Sequence, residues 1–408
     1  MKKRYLLCVL ALCILLTGCG NISGQTESAG AAFESSESMP EYDAQNQYMM
    51  STMISFQETD DFFCGSNFIG HYLHYFDKAS GISGVLCADP ACTHDSSDCG
   101  AYVSVSANLS YYDGRLYWIE DSQARAGYNL WRSDLSGTNR KKVKSISFDD
   151  VILPYQPQQY VIHRENLYML GYASVVEGTQ SGFRVTLLST PLDSSEEYSI
   201  LFDETFDRGV NATLRFVGNS VYIFLITFPG EGISDVKVTK YDIQSEVSET
   251  VYEETEIKEA LGAIWVTIDE EVYLPGIGDD HVYVWKLENG KRVEVASWES
   301  STASFPHIMN GIVVDTYRED KVRWIRIKDL TGETIYEGKM FPKEIPDLDG
   351  DPNEYTWMLV GGDKDKLIIN LQNFVADGIK VIFAVDYTIM LDLNDNLKPT
   401  ILWSNLTE

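Results

Sequence analysis

A short motif recurs along most of this chain: a tight turn, then a strand of aliphatic and aromatic residues. It reads Asp61-Phe62-Phe63-Cys64, Gly114-Arg115-Leu116-Tyr117-Trp118, Glu165-Asn166-Leu167-Tyr168-Met169 and Asn219-Ser220-Val221-Tyr222-Ile223. It returns as Glu270-Glu271-Val272-Tyr273-Leu274, Asn310-Gly311-Ile312-Val313-Val314 and Asp365-Lys366-Leu367-Ile368-Ile369. With Phe63, Leu116, Leu167, Val221, Val272, Ile312 and Leu367 as equivalents, the intervals are 53, 51, 54, 51, 40 and 55 residues. Each interval has room for about four strands and their turns. Further strand texture fills them, as in Lys237–Asp242 and Tyr283–Gly290. A lone four-stranded sheet cannot cover both its faces, whereas sheets packed around an axis cover one another and leave only short edges exposed. The recurrence therefore predicts an all-β chain folded as a β-propeller, with seven blades favoured and six or eight allowed. Two sandwiches or a β-helix would explain the strands but not the spacing. Helical periodicity is nearly absent; the acidic stretch Glu253–Leu261 is the best candidate for a short helix.

The N-terminus has a different texture. Lys2, Lys3 and Arg4 precede the apolar run Tyr5–Leu16, too short for a stable span and suited to a secretory signal. The run ends in Leu16-Thr17-Gly18-Cys19, which resembles the lipobox of bacterial prolipoproteins. That resemblance implies cleavage after residue 18, lipidation of Cys19 and attachment to a membrane on the side away from the cytoplasm. Acyl chains hold a protein by burial at ~0.8 kcal/mol per CH₂, and stable anchoring takes more than one chain. Residues 20–47 are rich in Ser, Gly, Glu and Ala without an apolar period, and read as a flexible linker. The expected organisation is thus a signal peptide at 1–18, a lipidated Cys and linker at 19–47, and a propeller over 48–408.

Charge narrows the partners. The chain of 408 residues carries a formal net charge of −29, and cleavage would remove three cations more. Nucleic acid binding depends on neutralising phosphates with Lys and Arg, so nucleic acid is excluded as a partner. Attraction to anionic lipid is disfavoured for the same reason.

One blade carries a second resemblance. Leu116-Tyr117-Trp118-Ile119-Glu120-Asp121, with Leu130-Trp131-Arg132-Ser133-Asp134-Leu135-Ser136-Gly137-Thr138-Asn139-Arg140, is similar to a blade of the YWTD propellers of low-density-lipoprotein receptors. It is also similar to uncharacterised bacterial propeller lipoproteins of that kind. Ile119 stands at the Thr of the signature, and Glu120 precedes the Asp.

The densest chemistry lies in Cys87-Ala88-Asp89-Pro90-Ala91-Cys92-Thr93-His94-Asp95-Ser96-Ser97-Asp98-Cys99. Cys8 and Cys13 would leave with the signal and Cys19 would carry lipid, so Cys64, Cys87, Cys92 and Cys99 belong to the fold. Four cysteines outside the cytoplasm suggest two disulfides, in any of three pairings. The rival is a closed structural zinc site, for which three thiolates and His94 supply four suitable donors. Free thiols are the third reading. The disulfide and zinc readings both predict a rigid loop rather than catalysis.

Other candidates have less support. Asp347, Asp349, Asp351 and Asn353 could wrap Ca²⁺ with oxygens, but an EF-hand loop counted from Asp347 would need Gly at Pro352 and an acidic residue at Met358. That mismatch favours a solvated turn. Asp392, Asn394, Asp395 and Asn396 invite the same thought. His71 and His74, three apart near a strand, point to opposite faces and make poor co-ligands. Motifs for zinc proteases, nucleophile elbows, P-loops and dinucleotide sites are absent, and no catalytic residue stands out. Beyond zinc or calcium no cofactor is implied. The expected role is a tethered binding module for a protein, peptide or glycan. The alternatives are a propeller enzyme, a hydrolase or lyase with an axial site, and a structural envelope component.

Overall fold

The computed structural model describes residues 55–405 except 67–70, 104–108, 122–126, 148–158, 178–179, 193–197, 279, 301–304 and 378–379. The expected signal peptide, Cys19 and the linker lie outside the described residues. The described chain forms seven antiparallel sheets, each built from consecutive strands. Blade 1 is Ser55–Glu58, Phe62–Ser66, Leu73–Asp77 and Ser83–Val85; blade 2 is Ser110–Tyr112, Arg115–Asp121, Gly127–Asp134 and Lys141–Ser147. Blade 3 is Gln159–His163, Asn166–Glu177, Gln180–Pro191 and Ser199–Phe206; blade 4 is Val210–Val217, Ser220–Gly230, Ile233–Asp242 and Val247–Ile257. In blade 5 the first strand is split into Ala260–Leu261 and Trp265–Val266, followed by Val272–Ile277, His281–Glu288 and Lys291–Glu299. Blade 6 is His307–Met309, Ile312–Glu319, Val322–Asp329 and Thr334–Lys339; blade 7 is Thr356–Gly362, Lys366–Asp377, Lys380–Asp392 and Lys398–Ser404.

The seven sheets form a propeller ring, as the sequence predicts. Every one of the seven equivalent residues, from Phe63 to Leu367, lies on the second strand of its blade and is buried. Second strands are covered on both faces by neighbouring blades, so they read as nearly continuous apolar runs. The core is correspondingly divided into wedges between blades. Leu73, Leu86, Leu116 and Trp118 join blades 1 and 2, and Tyr117, Leu130, Tyr160 and Met169 join blades 2 and 3. The series continues around the ring with Leu170, Leu187, Phe216 and Ile223, then Phe224, Val238, Ile264 and Leu274. Val284 and Val313 lie between blades 5 and 6, and Val314, Ile325, Leu371 and Ile389 lie between blades 6 and 7.

The ring closes between blades 7 and 1 by side-chain packing. Blade 1 comes wholly from the start of the propeller and blade 7 wholly from its end, so no strand is exchanged. Trp403 is 2% exposed and packs with Phe56, Phe63, Phe76, Val360 and Ile368. Its ring stacks on Phe56 at 6.2 Å between centroids and on His74 at 6.2 Å. Glu58 bridges Lys78 at 2.7 Å and Lys366 of blade 7 at 3.1 Å.

The expected helix at Glu253–Leu261 is not formed. Residues up to Ile257 belong to the outer strand of blade 4, and Ala260–Leu261 begins blade 5. Outer strands are solvent-facing edges, and charged side chains there prevent edge-to-edge pairing. Val247–Ile257 accordingly faces water at most of its positions and carries Glu249, Glu253, Glu254 and Glu256. No alternating apolar face marks it as a strand in the sequence.

Candidate functional sites: a cysteine–histidine cluster and an outer cleft

The loop that leaves blade 1 after Ser83–Val85 is folded by its own turn residues. Asp89 accepts the Ala91 N–H at 2.9 Å, and the Cys92 N–H reaches the Asp89 carbonyl at 3.2 Å. Thr93 donates its hydroxyl to Asp95 at 2.8 Å, and the Cys99 N–H reaches the Ser96 carbonyl at 3.2 Å. His94 adopts φ of 53°, in the left-handed region where non-glycine residues are uncommon. The loop then returns to its own blade: Leu73 donates to the Ala101 carbonyl at 2.9 Å and Val103 to the His71 carbonyl at 2.7 Å.

This path gathers Cys87, Cys92, His94 and Cys99, whose donor atoms all lie within 4.8 Å of one another. His94 Nδ1 is 3.3 Å from Cys99 Sγ. All four fold cysteines are free thiols. Burial would raise the Cys87 thiol, but N–H groups of Asp89 and Gly100 and the neighbouring Cys99 and Cys92 outweigh it, so its pKa falls below the ordinary value. Cys99 is the opposite case, pushed up mainly by burial, although the Ala101 N–H points at its sulfur from 3.4 Å. Cys64 lies outside the donor set. It sits on the second strand of blade 1, where burial raises its pKa to about 12 and it packs as a small apolar residue.

Blade 2 clamps the loop from the other side. Arg140 donates to the Cys99 carbonyl at 3.3 Å and pairs with Glu120 at 3.3 Å. Its guanidinium lies over the rings of Trp118 and Trp131, at 5.5 and 5.0 Å. Gly137, at φ of 74°, packs so closely that a Cβ would sit 2.5 Å from the Leu86 carbonyl oxygen.

The oxygen-rich segments are used in turns. Asp351 caps the 3-10 turn Pro352–Glu354 by accepting from the Asn353 N–H at 2.9 Å. Asn353 accepts from the Arg323 N–H at 2.9 Å, and the Asp349 carbonyl accepts the Tyr355 hydroxyl. Asp347 takes φ of 63°. Among the described residues, Asp347, Asp349 and Asp351 do not converge as a ligand set. Asp392 caps its own turn at the Asn394 N–H, and Asp395 pairs with Lys343 at 2.8 Å. His71 stacks on Tyr102, and His74 on Trp403.

A second site has no signal in the sequence. A cleft of about 380 Å³ lies between the outer strand of blade 3 and the end of blade 4. Its walls include Glu204, Asp207, Asp235, Glu253 and Glu254, against Arg208 and Lys237. Lys237 pairs with Glu204 at 3.3 Å, and Arg208 lies 2.8 Å from Asp207 and 3.6 Å from Asp235. Phe206 lines the cleft, opposite the exposed Phe183 in the strand register. Phe228, 45% exposed, lies against Gly209. These residues come from separate strands and connections, none of which carries a motif.

No protein-family model matches the chain, and no curated protein matches its sequence. Solved structures do. A prolyl endopeptidase is similar with a TM-score of 0.52 at 12% identity, over 90% of this chain and 52% of that one. Prolyl oligopeptidase B from Galerina marginata gives a TM-score of 0.52 at 10% identity, over 90% and 52%. A puromycin hydrolase gives 0.51 at 12%, over 89% and 55%. At these identities the likeness is one of fold, and the chain spans about half the length of these three structures. The chain is a seven-bladed β-propeller protein.

Proposed function

We propose that this propeller is a binding module, displayed outside the cytoplasm from a lipid anchor at Cys19, that takes a cationic peptide or protein segment. The observation that supports this most is the cleft between blades 3 and 4. Its carboxylates outnumber its cations, and Phe206 gives it aromatic surface. Carboxylates attract Lys and Arg, and aromatic faces accept both apolar side chains and cations. The high negative charge of the whole chain acts in the same sense by steering cationic partners.

The test is fluorescence anisotropy on the full chain with a panel of labelled peptides varied in Lys, Arg and aromatic content. Cationic peptides should bind, more weakly as salt rises. Glu253→Lys and Phe206→Ala should each weaken binding on the order of tenfold, about 1.4 kcal/mol. Preference for neutral glycans, or cleavage of the bound peptide, would replace this reading with a lectin or an enzyme. The anchor has its own test: Cys19→Ala should abolish fatty-acid labelling and move the protein from the membrane to the soluble fraction. Retained labelling in that variant would remove the anchor from the proposal.

A further inference from the structure

We propose that Cys87, Cys92, His94 and Cys99 bind one zinc ion, which fixes the loop joining blades 1 and 2. This inference does not depend on the binding role of the outer cleft.

Geometry supports it first. Tetrahedral zinc holds thiolate at about 2.3 Å and imidazole at about 2.0 Å, so its donors stand roughly 3.5–3.8 Å apart. The four donor atoms here already lie within 4.8 Å of one another, with one N···S separation of 3.3 Å. Small side-chain rotations would close them on a central ion. Three soft thiolates and an imidazole select zinc over calcium or magnesium, which take oxygen donors. Four protein donors fill the tetrahedron and leave no open position for substrate, so the ion is structural. Its binding releases the thiol protons to solvent.

Parity supports it second. With Cys64 outside the set, three cysteines converge, and a disulfide between any two would strand the third beside His94. Only a ligand shared among all four uses the whole cluster. The surroundings also suit coordinated thiolates: backbone N–H groups aim at Cys87 and Cys99, and such outer donors orient ligands and stabilise their charge.

The location supplies a reason for such a site. Blade 1 has the shortest outer strand of the seven, 3 residues at Ser83–Val85. Where other blades continue along their edge, blade 1 turns into the cysteine loop. An ion there would replace ladder hydrogen bonds, holding the loop in the shape that Gly137 and Arg140 receive.

The experiment uses full-length protein, detergent-solubilised and purified under reducing, anaerobic conditions with zinc supplied. Elemental analysis should find one zinc per chain. Cobalt substitution should give the thiolate-to-metal charge-transfer and intense visible bands of a tetrahedral thiolate site. Cys92→Ser and His94→Ala should each lower zinc affinity by at least about tenfold, while Cys64→Ala should keep full stoichiometry. Should Cys92→Ser fail to fold, wild-type protein still decides the matter. Chelation should then speed alkylation of three thiols and lower the thermal midpoint by several degrees. The proposal is overturned if folded, reduced wild-type protein binds no zinc. Zinc loss in Cys64→Ala with retention in His94→Ala would also overturn it, as would an intact mass showing a disulfide within the cluster after preparation with zinc.

Discussion

Trp403→Ala is expected to lower the unfolding free energy by about 3–5 kcal/mol, the range for truncating a large buried aromatic. Trp403 fills the seam between the last blade and the first, stacked between Phe56 and His74. Among the described residues the buried indole nitrogen has no hydrogen-bond partner, so the residue acts there through its volume and ring faces. Trp403→Phe should therefore cost much less, below about 2 kcal/mol, because it keeps an aromatic surface and removes the unpaired N–H. Denaturant unfolding of the two variants side by side measures the difference. A loss below about 1 kcal/mol in the alanine variant, at unchanged slope, would show that the seam does not hold the ring.

Acidification should also destabilise the fold, with a definite window. His307 lies on the inner strand of blade 6; part of the residue's surface stays open, but its imidazole is set deep in protein, and burial lowers its pKa to about 4. Burial does the same for His74, helped by the nearby His94, again to about 4. An unfolded chain protonates these imidazoles near pH ~6.5, before the folded one does. Their contribution is thus intact above about pH 6.5 and is lost progressively as pH falls towards 4. The full shift corresponds to about 3 kcal/mol for His307. Replacing it by Gln should make stability less pH-dependent, by about 2 kcal/mol between pH ~7 and pH ~5. The comparison with wild type cancels the general effect of titrating so acidic a chain. Parallel stability-versus-pH curves for wild type and His307→Gln would refute the assignment.

The sequence was most legible where burial is two-sided. Leu116, Trp118, Leu167 and Leu367 lie on strands covered by both neighbours, so their apolar runs recur once per blade and reveal the ring. Outer strands were least legible. Lys141–Ser147 and Val247–Ile257 face water along most of their length, and nothing in such residues demands a strand; pairing with the adjacent strand imposes it. This is why Glu253–Leu261 suggested a helix. The cysteine loop was legible as a cluster but not as a set of ligands. Spacing shows four cysteines within reach, whereas only the fold shows that Cys64 is held on a strand while Cys87, Cys92 and Cys99 turn towards His94. The outer cleft had no local signal, since Glu204, Asp235 and Glu253 meet only after two blades have been placed side by side.

The absence of strand exchange between blades 7 and 1 bears on how the chain reaches this shape. Every hydrogen-bonded ladder joins strands close in sequence, so forming a blade requires only short loop closures. A chain emerging linearly, from a ribosome or a translocation channel, can complete its sheets one after another in order of appearance. The step that must wait for the end is the meeting of Trp403 with Phe56 and His74. Until then, apolar faces of the first and last sheets stand uncovered, and the nearly finished protein is at its most prone to associate with copies of itself.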